Sequence, residues 1–485
     1  MLKYKPIIFI ILFVNILIGY SQEGLKFSVN NQLYLKGNSA LIGNNIVSKD
    51  SKKPFDDHTI FNDKIKMEYI DVDDDKSTFS SSQAVLTLPE NTKKIAYAAL
   101  YWSAIYKYDK GVTRTLNDQI IYKGNDKRSQ DVNKILFKTP QGAYTELKGL
   151  KVYDSYQNSS FNDSKPYVCY YDVTEILQKT PVVNGNYTVA NIRATEGYVS
   201  GGCSGGWLLY VVYENPDDKP KYFTTYNGFL EVDKKTVDIT FANFKTNEKG
   251  DIKTSLSIGA LEGDQKFKTD VCNVYDKHLN TFVPLFNNLR AKDNFFNSTI
   301  TLDDLYFKDR TPNSTNTLGF DLLKMNIPNQ NNNILSNNSS ELTIQFKTKA
   351  DRFYLFFVAF ETEISPIYLE NKNEDYYMTV DIDTYALPQD EDLVKIKNLK
   401  SIAIPNLEPG YYLVTNVFSV EKNAKNWKTF LQEKGHKPKS YKNPANNWDY
   451  IYLEMSQDPN VVYLKQRELM RLDYFEDIWV LKINM

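Results

Sequence analysis

Histidine, cysteine and charge bias are what this sequence lacks. Its three histidines, at 58, 278 and 436, stand far apart, and none neighbours a Cys or Glu at a zinc-ligand spacing. That argues against imidazole-based catalysis or metal binding. Three cysteines, Cys169, Cys203 and Cys272, permit one disulfide and a leftover thiol, or three unpaired thiols, and spacing does not choose between them. Lys and Arg number 58 against 60 Asp and Glu, a net charge of −2 that gives no electrostatic case for nucleic acid. No apolar run reaches the roughly 20 residues of a membrane-spanning helix. P-loop and dinucleotide-binding fingerprints are absent as well.

The longest apolar run, residues 7–20, follows Lys3 and Lys5 and is broken by Asn15. A basic start, a short apolar stretch and the small residues Gly19 and Ser21 spell a signal peptide over 1–21, with a mature start near Gln22. No cysteine stands near that point, so a lipid anchor is not expected. The expectation is an exported protein without a transmembrane span.

Aromatic residues are what the chain has in plenty: 35 Tyr and 27 Phe, types that pack well on pleated surfaces. Residues 95–106, 207–213 and 353–360 are apolar on both parities, the pattern of strands buried on both faces. In 341–347, Leu342, Ile344 and Phe346 alternate with polar residues, as in a half-buried strand. Polar turns such as 329–340 separate these runs. The fold class expected is mostly β: an antiparallel β-sandwich body over 22–364, as one or two packed units. Residues 365–409 read as a connector with an acidic run at 389–392 and short strands at 378–381 and 401–404.

Residues 410–485 read as an α+β module, strand–helix–strand–strand–helix–strand, of ferredoxin-like type. A strand over 411–418 leads to Ser419 as N-cap of a helix whose buried stripe is Ala424, Trp427 and Leu431. Gly435 ends that helix. Strands at 437–441 and 448–455, a second helix over 459–474 capped by Asp458, and a strand at 477–483 complete the set.

Two resemblances follow from these residues. The tail, with GYYLVTNVF, Glu421–Asn423–Ala424, Gly435, a third strand opening on Trp448 and the closing DIWVLKI, resembles a SPOR domain. That resemblance implies binding of peptidoglycan glycan on the exposed sheet face. The chain departs from it where Val414 and Val417 replace polar residues, and where Tyr450 and Tyr452 hold positions often taken by Arg. The body resembles the β-rich N-terminal region of flavobacterial adhesin-like and gliding-associated surface proteins. YIDVDDDKSTFSSSQAVLTLP, AALYWSA, SGGWLLYVVYENP and ADRFYLFFVAFETEI occur in order along it. No catalytic role attaches to that region.

Alternation on the tail strands places Ile451 and Leu453 toward the helices. It leaves Tyr450 and Tyr452 on the open face, with Tyr412, Val414 and Asn416 at the matching parity of the first strand. Tyr412, Asn416, Trp448, Tyr450 and Tyr452 are therefore the candidate glycan- or partner-binding residues, since aromatic rings can stack on sugars or bury against a protein. Asp71, Asp73 and Asp75, beside Asp74, form the one dense carboxylate run and the candidate calcium ligands. The EF-hand pattern fails there, for the sixth position is not Gly and the twelfth is Ser82. A solvated turn with carboxylates capping amides is the favoured reading, and the same holds for Glu262 and Asp264. Gly202–Gly206 fits G-x-S-x-G, but the following run reads as a strand, so a Gly-rich hairpin or bulge is expected there. The chain is accordingly read as a non-catalytic envelope binding or scaffold protein with no cofactor, periplasmic or associated with the outer membrane or cell surface. Alternatives are a gliding or secretion component that docks only protein, and a carbohydrate-active enzyme with its site in the β body.

Overall fold

The computed structural model describes residues 27–484, apart from 74, 118, 125–126, 129, 157–160, 267, 350–351, 380–394, 406, 471, 473 and 476–477. The signal-peptide reading and the acidic run at 389–392 lie outside these residues. Two compact units emerge. One comprises residues up to Phe241 with Gly250–Asn337 and Leu342–Glu363; the other comprises Ala242–Lys249, Asn338–Glu341 and Ile364–Met485. No helix among the described residues is long and apolar enough to cross a membrane.

The first unit is mostly β, built from sheets. Its largest run of paired strands includes Ser28–Asn45, an 18-residue strand that changes partner midway. The first half pairs with Pro220–Val232 and the second with Gly205–Glu214, both antiparallel. Tyr101 and Tyr210 bring their rings within 5.0 and 5.5 Å of Phe357. Their strands lie four and three places from Phe353–Glu363 in the strand order. Neighbouring strands are about 4.8 Å apart, so such contacts require the run to fold over on itself as a sandwich. A five-stranded sheet containing Ser81–Leu86 and Gly185–Ala190 covers the other side of strand 205–214, where Trp207 Nε1 donates to Ser82 Oγ at 2.9 Å.

Burial on two sides explains the runs that are apolar on both parities. Strand Phe353–Glu363 is buried at every position, Gly205–Glu214 at all but the last, and Lys94–Ile105 over its second half. Leu342–Lys347 has one parity buried and the other partly exposed, as its alternation predicts. The three cysteines are buried and unpaired.

In the second unit, Pro366–Thr379 is a helix. Of the strand expected over 378–381, residues 378 and 379 instead end this helix and 380–381 lie outside the described residues: proline suits the first helical turn, and the Leu369 amide already bonds to Ser365 O. Residues 401–404 likewise form no strand; only Ile402 bridges to Ile483. Beyond them stand strand Gly410–Phe418, helix Glu421–Glu433, strands Lys439–Asn443 and Trp448–Ser456, helix Pro459–Leu469 and strand Trp479–Ile483. All pairings in this sheet are antiparallel, in the order second, third, first, fourth.

Helix 421–433 starts one residue later than the Ser419 cap implies. Val420 holds the cap position and no side chain caps the helix. Its end follows expectation. Gly435 sits at φ +87°, its amide bonds to Gln432 O, and the His436 amide reaches Leu431 O at 2.9 Å. That pair of bonds is a Schellman closure, which needs a left-handed residue. The second helix ends at Leu469, five residues short of the expected bound, and Leu472 and Phe475 turn back into the helix-side core instead.

Candidate binding face

Each face of the terminal sheet carries its own apolar cluster. Leu413, Ile451 and Val480 pack with Ala424, Leu431 and Val462 of the helices, joined by Trp427 and Leu453. Tyr412, Val414 and Ile483 lie on the opposite face with Val417, Tyr441, Tyr450, Tyr452 and Leu481. Period-two alternation assigns both sets, and Ile451, Leu453, Tyr450 and Tyr452 fall where the sequence places them.

Two register shifts alter the pairing of the first and third strands: Leu453 is the extra residue on the third, and one residue is extra on the first. Val414 pairs with Tyr452, but Asn416 pairs with Ile451 and Val417 with Tyr450. The extra residue on the first strand is Thr415, whose hydroxyl donates to Ile451 O and accepts from Trp427 Nε1 of the helix. A bulge of one residue reverses every later side chain. Asn416 therefore belongs to the helix side, contrary to expectation, and Val417 takes its place on the other face.

That face is also less open than its alternation suggests. Ile404 and Leu407 pack on it, Tyr412 donates its hydroxyl to Glu408 O at 2.8 Å, and Tyr441 donates to Pro405 O. Tyr412 is consequently only 3% exposed, so the prediction of an accessible Tyr412 is corrected. Burial first, then the Tyr452 phenol and the Glu408 carboxylate, raise the Tyr412 phenol above its usual range; burial and Glu408 do the same for Tyr452. Both present neutral hydroxyls at physiological pH.

What stays accessible borders this cover rather than lying under it. Trp448 is 46% exposed, Tyr450 and Tyr452 are half-buried, and Tyr412 and Tyr452 meet edge-on at 5.1 Å. Across the sheet, Trp479 pairs with Val414 and is 40% exposed. Its neighbour Val480 faces the helices and Leu481 the other side, so alternation puts Trp479 on the same face as Tyr452. Sequence reasoning missed Trp479, although the Trp479–Leu481–Ile483 parity carried the signal. The accessible set is thus Trp448, Tyr450, Tyr452 and Trp479, with Lys439 opposite Tyr452.

The other candidates resolve into structural roles. Asp71 accepts from Ser81 Oγ, Asp73 from Thr78 Oγ1 and the Tyr144 hydroxyl, and Asp75 from the amide and hydroxyl of Ser77. The Ser77 bonds hold the Asp75 carboxyl below its usual range. Among the described residues no group of three His, Cys, Asp or Glu is arranged to hold a metal. Calcium binding by Asp71, Asp73 and Asp75 finds no support in this arrangement. In the Gly202–Gly206 motif, Gly202 adopts φ +94° in a turn and strand Gly205–Glu214 follows directly. Ser204 is buried and donates to Glu262 at 2.5 Å. Burial raises the Cys203 thiol, which leaves it inert as a nucleophile. A nucleophile elbow, which needs a following helix, is not formed.

No protein-family model and no curated protein matches the chain. Among solved structures it is similar to the major capsid protein P2 from bacteriophage PM2, at 8% identity and a TM-score of 0.16 over 59% of this chain and 98% of that one. It is also similar to N-glycanase F (PNGase F), at 11% identity and a TM-score of 0.16, covering 67% of this chain and 96% of that one. For PNGF-II the values are 12% and 0.19, over 67% and 65%. TM-scores of this size carry no argument about fold or activity.

Proposed function

We propose that this is an exported, non-catalytic binding protein of the bacterial cell envelope, whose terminal module docks peptidoglycan glycan on its aromatic sheet face. The observation that carries this reading is that Tyr450 and Tyr452 lie on the face turned away from the helices, where alternation also places the exposed Trp448 and Trp479. Exposed large aromatics of this kind mark recognition surfaces, and flat rings with neutral hydroxyls suit stacking on sugar rings with hydrogen bonds at the rim. The order of strands and helices accords with the SPOR-like reading of the sequence. Association is an equilibrium event with no chemical step.

Co-sedimentation of the full chain with purified sacculi tests the proposal. Retention of the wild type, reduced at least tenfold in Trp448→Ala/Trp479→Ala with an unchanged melting temperature, is the expected result. No retention, together with capture of envelope proteins by the same face, would replace glycan by a protein scaffold partner.

A further inference from the structure

The first unit holds a cleft of 1170 Å³ lined by its long strand and by the segments around 85–87, 251–255, 302–309 and 326–331. Its volume slightly exceeds that of ordinary ligand sites, which reach about 1,000 Å³. Glu361 lies at the floor, almost fully buried, with Lys324 at 3.3 Å and Lys221 at 3.5 Å. Lys324 is fully engaged, since it also donates to Ser39 O and Oγ. Lys221 donates to Asn38 and Glu361, and its third proton has no hydrogen-bond partner among the described residues.

We propose that this cleft is a second ligand site and that it takes a neutral oligosaccharide. Its lining carries Lys221, Lys253 and Lys324 against Asp251, Asp303, Asp309 and Glu361, so positive and negative groups nearly cancel. A polyanion would meet three rim carboxylates, and a polycation would meet the floor lysines. Hydroxyl-rich ligands, by contrast, both donate and accept, and the cleft offers both kinds of partner: amides of Asn38, Asn326 and Gln330, the Lys221 ammonium and the rim carboxylates. Phe307, half-buried on the wall, supplies one ring for a sugar face. The floor carboxylate is held as an anion by its neighbours. Burial alone would raise Glu361, but Lys324, Lys221 and the Ser39 hydroxyl outweigh it and hold the carboxyl below its usual range. A carboxyl kept ionised in this way cannot serve as the general acid that glycoside cleavage needs.

The test is a glycan array of neutral and acidic oligosaccharides, run beside a peptide array with the full chain, followed by calorimetry on the best neutral binder. Expected is binding to neutral sugars that weakens at least tenfold in Lys221→Met and in Asn326→Ala. Asn326 is exposed but accepts from Ser255 Oγ and donates to Asp303, so melting of that second variant separates lost binding from a loosened cleft wall. Trp448→Ala/Trp479→Ala is expected to leave this binding intact, which separates the cleft from the terminal face. Absence of sugar binding, preference for polyanions or peptides, or insensitivity to both cleft variants would overturn the assignment.

Discussion

Arg290 is fully buried, yet each of its five N–H groups has a use: Nε donates to Thr301, Nη1 to Phe295 O and Asp321, and Nη2 to Thr299 O and Leu322 O. Asp321 in turn accepts from the amides of Asn297, Ser298 and Thr299. Nothing in the local sequence announces this pair, because its partners are 31 positions apart and both types are normally exposed. Removing one member strands a buried charge, so Asp321→Ala is expected to cost about 3–5 kcal/mol, read as a lower urea midpoint at unchanged slope. Glu361 gives a pH signature. Its folded pKa is depressed, so the stability it contributes is complete above its unfolded value of about 4.3 and is lost as pH falls through the folded value. Urea midpoints followed from pH 7 down to pH 3 are expected to fall in that acid range, and Glu361→Gln to flatten this part of the curve. The wild type and Glu361→Gln showing the same acid slope would exclude Glu361 as the source.

At the scale of elements, strands were legible wherever burial is two-sided, because residues 207–213 and 353–360 need apolar side chains at both parities. The order of elements in the terminal module was legible from helix periodicity and from Gly435. Gly435→Ala forces a side chain into the left-handed region, at a cost of about 1 kcal/mol, and is expected to lower the melting of the terminal module while sparing the body. Other features left no local trace. The Thr415 bulge depends on a hydrogen bond from Trp427, so Asn416 was assigned to the wrong face. The cover over Tyr412 depends on Ile404 and Leu407, in a segment whose sequence reads only as a connector. Trp448, Tyr450 and Tyr452 were recognised by alternation, and the same alternation, applied to the last strand, yields Trp479.

Across the whole molecule, near-zero net charge, an aromatic-rich sandwich and a separate terminal module suit recognition by shape and stacking rather than by long-range attraction. Binding through such a surface is expected to change little with salt, since no counter-ion release drives it; sedimentation with sacculi at 50 and 500 mM NaCl checks this. A steep loss of binding at the higher salt would point to charge instead, with Lys439 the first residue to replace. Hydrogen–deuterium exchange of the full chain, with and without solubilised peptidoglycan strands, bears most directly on the proposed docking. Glycan-dependent protection of residues 448–456 and 479–483 is predicted. Protection confined to the body, or none at saturating glycan, would contradict it.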